Sequence, residues 1–196
     1  LHKEYRRQRQ MCIRDSIHCE GITKITADDF KYAKAMNRSI KLLASSRKAG
    51  SSYTCMVAPY MIDSAHPLCG VNGVFNGIFL HGNALGDAMF YGSGAGKLPT
   101  ASAVVADVVD MARHQHTNIY IDWKPEKLTL VSYDDSVNRF FVRTDSPKEE
   151  VEKIFGNVSY VENVVDGEYG FTTEAMAEKD FAAKADKINV INRIRL

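Results

Sequence analysis

The residues best suited to chemistry lie between Met89 and Asp110. There an apolar run passes through Gly92-Ser93-Gly94-Ala95-Gly96-Lys97-Leu98-Pro99 into the helical pattern TASAVVADVVD. Glycines at 92, 94 and 96 remove side chains where a ligand could approach the backbone. A helix opening near Thr100 would present free amide groups and a partial positive charge at its start, a place for a phosphate or a nicotinamide amide. A bare glycine triplet also makes a tight strand-to-helix turn, and composition alone favours that plainer role. The loop is no Walker motif, because Leu98 follows Lys97. Nor is it the dinucleotide fingerprint, because the expected acidic residue and second βα unit do not follow.

Other reactive side chains are less organised. His66 precedes Pro67 with no convincing carboxylate or nucleophile beside it, so a structural role is expected. Asn72 and Asn76 flank a strand start, where backbone hydrogen bonds are the usual use. Asp107 and Asp110 suit a solvated or capping role, and Glu20-Gly21-Ile22 reads as a turn without chemistry of its own. Cys12, Cys19, Cys55 and Cys69 are scattered, with no CxxC pair and no histidines at ligand spacing. Reduced thiols are therefore expected, with neither disulfides nor metal. No Ser/His/Asp or Cys/His arrangement emerges.

The elements that must carry these residues follow from periodicity. Thr26 caps a helix whose Asp28 and Asp29 suit the positive end of its dipole. Phe30, Ala33, Met36, Ile40, Leu43 and Ala44 then recur at three- and four-residue steps, which predicts one amphipathic helix over 26–49, ended by Gly50. A strand over 52–58 stops at Pro59, and 62–67 is a loop. Runs 74–81 and 87–91, joined across Gly82 to Gly86, form an antiparallel hairpin. The helix from Thr100 to 116 is nearly continuously apolar and is expected to be buried on more than one side. Residues 117–136, with Trp123 and Lys124-Pro125, read as a linker. A strand over 137–143, a helix opening at Ser146-Pro147, strands 158–165 and 169–173, a helix 177–187 and a strand 188–195 then give βαββαβ, the ferredoxin-like order. The fold class is thus α+β: an αβ region with a mixed or antiparallel sheet, followed by a ferredoxin-like domain.

The 196 residues carry 45% apolar and 25% charged side chains and a net charge of +1, so no global field draws the chain to nucleic acid or an anionic membrane. No stretch approaches the ~20 apolar residues of a membrane span. Residues 1–16 begin without Met and show no periodicity. Their MCIRDS string resembles adapter read-through, so they are expected to be a non-native leader. An RNA- or DNA-binding tail built from Lys3, Arg6, Arg7, Arg9 and Arg14 is the weaker reading. A cytoplasmic location is expected.

GITKITADDFKYAK, HPLCGVNGVFNGIFLHG and, most specifically, MFYGSGAGKLPTASAVVADVVDMAR resemble the C-terminal half of homoserine dehydrogenases. The resemblance covers roughly residues 17–115, in family order. It implies an NAD(P)-dependent interconversion of L-homoserine and L-aspartate 4-semialdehyde, on the route to threonine and methionine, in a homo-oligomer. It places the glycine loop beside the dinucleotide: Gly96 matches the contacting position, with Gly94, Ala95 and Thr100 as neighbours. It also implies that the catalytic Lys and the substrate-holding carboxylates belong to motifs before Glu20, so no catalytic residue is assigned here. The last helix would pack near the cofactor, and without a dinucleotide-binding domain its apolar face would be partly exposed.

The βαββαβ tail resembles the ACT-type domain of many members. Such domains carry Asp-x-Pro-Gly, whereas this chain has Asp145-Ser146-Pro147-Lys148, which argues against threonine feedback and for subunit pairing. The tail suits a monofunctional enzyme better than an aspartokinase fusion. The domain organisation expected is thus a leader over 1–16, the C-terminal part of a catalytic domain over 17–116, a linker over 117–136 and an ACT-like domain over 137–196. The competing reading is a non-catalytic amino-acid-sensing or assembly module built on that tail.

Overall fold

The computed structural model describes residues 17–94, 96–117 and 129–196. In chain order the elements are β1 (His18–Cys19), α1 (Ala27–Ala35), β2 (Arg38–Ala49), β3 (Ser52–Asp63), β4 (Phe75–Gly82), β5 (Gly86–Ser93), α2 (Lys97–Arg113), β6 (Val137–Asn138), β7 (Phe140–Thr144), α3 (Lys148–Phe155), β8 (Ser159–Val161), β9 (Tyr169–Thr172), β10 (Met176–Ala177), α4 (Glu178–Ala185) and β11 (Val190–Arg195). The class is mixed α+β. The described residues form two compact units, one taking in the chain up to Asp63 and again from Thr129, the other Ser64 to Thr117. No helix among them is long and apolar enough to cross a membrane. The part of the expected linker around Trp123 and Lys124-Pro125 lies outside the described residues. Leu130 bridges to Tyr53, and Tyr133–Asp135 forms one 3-10 turn.

The long helix expected over 26–49 is in fact a short helix and a strand. Thr26 does begin α1, and its backbone N–H donates to the Asp29 carboxylate at 2.7 Å. The helix ends because Asn37 takes φ +54, a left-handed turn that Asn tolerates better than most residues. From Arg38 the chain runs antiparallel to β3, pairing Arg38 with Asp63 through Ala49 with Ser52. Ile40, Leu43 and Ala44 fit a helical spacing, but twelve-residue pairing with β3 outweighs a local period. Pro59, expected to end its strand, lies inside β3 instead. It falls where β3 changes partner, between the residues paired with β1 (Met56, Val57) and the one paired with β11 (Tyr60). A missing N–H is tolerated there.

The first unit is built on a seven-stranded sheet in the order β1-β3-β11-β7-β9-β8, with β2 along β3, and β6 pairs with β10 as a separate two-stranded sheet. β3 is parallel to β1 and β11, and the remaining pairs are antiparallel. The last 60 residues contain the expected βαββαβ elements as β7-α3-β8-β9-α4-β11, with two short strands, β6 and β10, in addition and with β8 only three residues long. Side chains alternate along β7, so it feeds two cores. On one face Phe140 and Val142 pack with Val151, Phe155, Phe171 and Phe181 beneath α3 and α4. On the other, Phe141 and Ile194 pack with Tyr32, Ala33 and Met61 beneath α1. Gly170 on β9 has a steric reason: a Cβ there would lie 2.5 Å from Phe141 Cε2.

The second unit is the predicted hairpin, with β4 and β5 in register from Phe75–Ser93 to Gly82–Gly86, followed by α2. Its helix departs from expectation, since no residue of α2 is buried. Val104, Val105, Val108 and Met111 are 57–74% exposed. The apolar density of this helix has no counterpart among the described residues.

Candidate functional site

The glycine loop forms where β5 hands over to α2. Gly96, the residue before the helix, takes φ +122, a backbone that a side chain would strain. Thr100 N–H donates to Gly96 O at 3.2 Å and closes the first turn. A helix start leaves the preceding N–H groups without intrahelical acceptors, here those of Lys97 and Leu98, while Pro99 has none to offer. Gly94 is close to Asn76: a Cβ built on Gly94 would fall 2.0 Å from Asn76 Nδ2. Gly92 faces open space. Gly96 and Thr100 are therefore joined in the first helical turn, Gly94 sits against Asn76, and Ala95 lies outside the described residues. The loop can accept a planar or anionic group through backbone amides. It carries no histidine and no carboxylate in its own sequence.

Beneath the hairpin the packing is tight. Gly77 admits Leu68, Val71 and Met89, each of which a Cβ there would meet at 2.9–3.0 Å. His66 caps the 3-10 turn Pro67–Gly70 by accepting the Leu68 N–H on Nδ1 at 3.1 Å, and its ring stands 4.9 Å from that of Phe79. The structural role expected of it is the role it has. Asp110 pairs with His114 at 3.2 Å on the exposed side of α2, and His81 pairs with Asp87 at the hairpin end.

Two buried arginine centres in the first unit escaped the sequence reading. Arg143 meets Asp29 at 2.8 Å and Glu168 at 2.9 Å, and Thr26 Oγ1 accepts from the same guanidinium. Arg195, fully buried, meets Glu178 at 2.5 Å and Glu20 at 2.7 Å. Glu178 accepts further hydrogen bonds from Tyr133 and Asn138. Burial by itself would raise the Glu20 carboxyl, but the hydrogen bond and charge of Arg195, with the charge of Arg193, hold it below the usual range. Burial, then the charge of Glu168, pushes the Tyr32 phenol up to about 12. A cleft of about 360 Å³ opens beside this second centre, lined by Glu20, Lys24, Glu178, Phe181 and Arg193 among others. Of its carboxylates, Glu20 and Glu178 are engaged by the arginines, whereas Asp134 and Asp186 line it without an arginine partner among the described residues. Nothing in local periodicity marks these residues, because their partners lie between 17 and 175 positions away. Among the described residues no group of three or more His, Cys, Asp or Glu side chains gathers at metal-binding distance.

Comparison with known proteins agrees on one family. A family model described as homoserine dehydrogenase matches residues 9–109, just over half of the chain, and runs through the whole glycine loop. A homoserine dehydrogenase of Neisseria gonorrhoeae is 34% identical over 140 residues, 67% of this chain and 32% of that protein. One from Synechocystis sp. is 46% identical over 102 residues, 50% of this chain and 24% of its own length. The crystal structure of a homoserine dehydrogenase from Thiobacillus denitrificans superposes with a TM-score of 0.78 at 28% identity, covering 93% of this chain and 48% of that one. The chain thus spans about a quarter to a half of the length of these relatives.

Proposed function

Since this chain belongs to the homoserine dehydrogenase family, we propose that it is the C-terminal, cofactor-facing portion of a cytoplasmic enzyme. That enzyme interconverts L-homoserine and L-aspartate 4-semialdehyde with NAD(P). The observation that carries this reading is the family match itself, which spans the hairpin and the glycine loop and reaches into α2. A non-catalytic sensing module built on the tail alone is not favoured, because the strongest similarity lies outside the tail.

Gly94, Ala95, Gly96 and Thr100 are the dinucleotide contacts in this reading. The loop fits such a group: its glycines present no side chains outward, and the first amides of α2 are free to donate. When bound, the nicotinamide supplies the hydride acceptor or donor for C4 of the substrate. The part of this chain is to hold one side of that ring and to exclude water from it. No proton-transferring residue is assigned within it, and turnover by residues 1–196 alone is not expected. The tail is read as a ferredoxin-like, ACT-type module. Support comes from the order β11-β7-β9-β8 of its antiparallel strands. Lys148, where such domains favour glycine, is ion-paired with Glu162 of the same chain, which speaks against effector binding at that turn.

The test is Gly96→Val in the full-length protein. Because the substitution strains the backbone and fills the loop, NAD(P)H affinity should fall roughly 10–100-fold, the equivalent of about 1.4–3 kcal/mol. Unchanged dinucleotide binding would overturn the assignment of the loop.

A further inference from the structure

Asn76 is a polar residue whose placement the fold does not explain. It stands on β4 opposite Gly92, on the hairpin face it shares with Ile78 and Leu80. Its carboxamide is seated against the loop backbone: a Cβ on Gly94 would lie 2.0 Å from Nδ2 and 2.7 Å from Cγ. The missing side chain of Gly94 therefore admits the carboxamide to the loop. Asn138, Asn189 and Asn192 each spend their amide groups on other side chains. The exposed carboxamide of Asn76 makes no hydrogen bond with any described residue. It is a planar donor and acceptor beside the loop, without a partner among the described residues.

We propose that Asn76 is a further binding residue of the glycine-loop site, and that its carboxamide pairs with the carboxamide of the nicotinamide ring. The proposal rests on the reading of the loop as a dinucleotide contact. A primary carboxamide offers an acceptor oxygen and two N–H donors in one plane. A second carboxamide is its complement and satisfies both functions, whereas a phosphate uses only the donors and leaves the oxygen of Asn76 bare. The adjoining backbone, stripped of side chains at Gly92, Gly94 and Gly96, leaves room for a flat ring.

The experiment measures dinucleotide binding by calorimetry in the full-length protein, without substrate. The probes are the natural dinucleotide and its 3-acetylpyridine analogue, which keeps the carbonyl and lacks the amide N–H. The native protein should prefer the natural form roughly 3–10-fold, the weight of one neutral hydrogen bond. Asn76→Leu keeps the volume against Gly94 and should lose most of that preference, and Asn76→Ala should do the same. Native affinity and native preference in both variants, while Gly96→Val weakens binding, would overturn the role of Asn76 and leave the loop assignment standing. If Gly96→Val also binds normally, the loop assignment fails and this proposal with it.

Discussion

Glu20 illustrates how much a single residue can gain from distant partners. In the sequence it opens a turn with no chemistry of its own; in the fold it lies 2.7 Å from Arg195 and 3.6 Å from Arg193, at the other end of the chain. Its carboxyl titrates below its usual range because burial is outweighed by those guanidinium groups. A depressed carboxyl contributes stability that is present above its unfolded-state value and lost as pH falls through the folded one. The melting temperature should therefore drop between about pH 5 and pH 3, and Glu20→Gln should start lower at neutral pH and show a shallower acid limb. Melting curves of the two proteins that ran parallel down to pH 3 would remove Glu20 from the acid response. Arg143 is ion-paired with Asp29 and Glu168, so the first helix and the tail share a second buried ion cluster.

Between α1 and β2 the decision between helix and strand falls on one residue. Asn37 holds φ +54, which lets the chain leave the helix and return along β3. Both Asn37→Gly and Asn37→Ala remove the side chain, but only Ala keeps a Cβ in the left-handed region. The alanine variant should therefore be the less stable of the two by roughly 1–2 kcal/mol, read from denaturant midpoints. Equal stability would mean that the turn is not under this constraint. The same element explains why periodicity misled: a helix and an edge-paired strand can share apolar residues at three- and four-residue steps. Pro59 misled in the other direction, because a proline inside a strand is acceptable where the strand switches neighbours.

At the scale of the molecule, the tail and the first segment form one sheet. β11 lies between β3 and β7, and Arg195 closes on Glu20 while Asn192 bonds Asp29 and the backbone of Lys24. Removing residues 137–196 would uncover β3 at Tyr60, where β11 joins it, and leave Asp29 and Glu20 without their arginine partners. Loss of one partner from a buried pair costs on the order of 3–5 kcal/mol, a large part of a domain's stability. The shortened protein should lose its cooperative thermal transition for the first unit. A sharp transition near the native temperature would show that the tail is a separable appendage.

The sequence alone was enough for what depends on neighbouring residues. The hairpin of β4 and β5, the glycine loop, the helix after it and the βαββαβ order of the tail all rest on local turn chemistry and short periods, which survive in a linear reading. The family resemblance was legible for the same reason, as an unbroken string from Met89 to Arg113. The tertiary structure decided the rest. It converted 38–49 to a strand, drew β3 and β11 together, built the clusters around Arg143 and Arg195, and set Asn76 against Gly94. Each of these depends on pairing or on charge compensation between distant positions. Such terms have no period and appear only once burial makes an unpaired strand edge or an uncompensated charge costly.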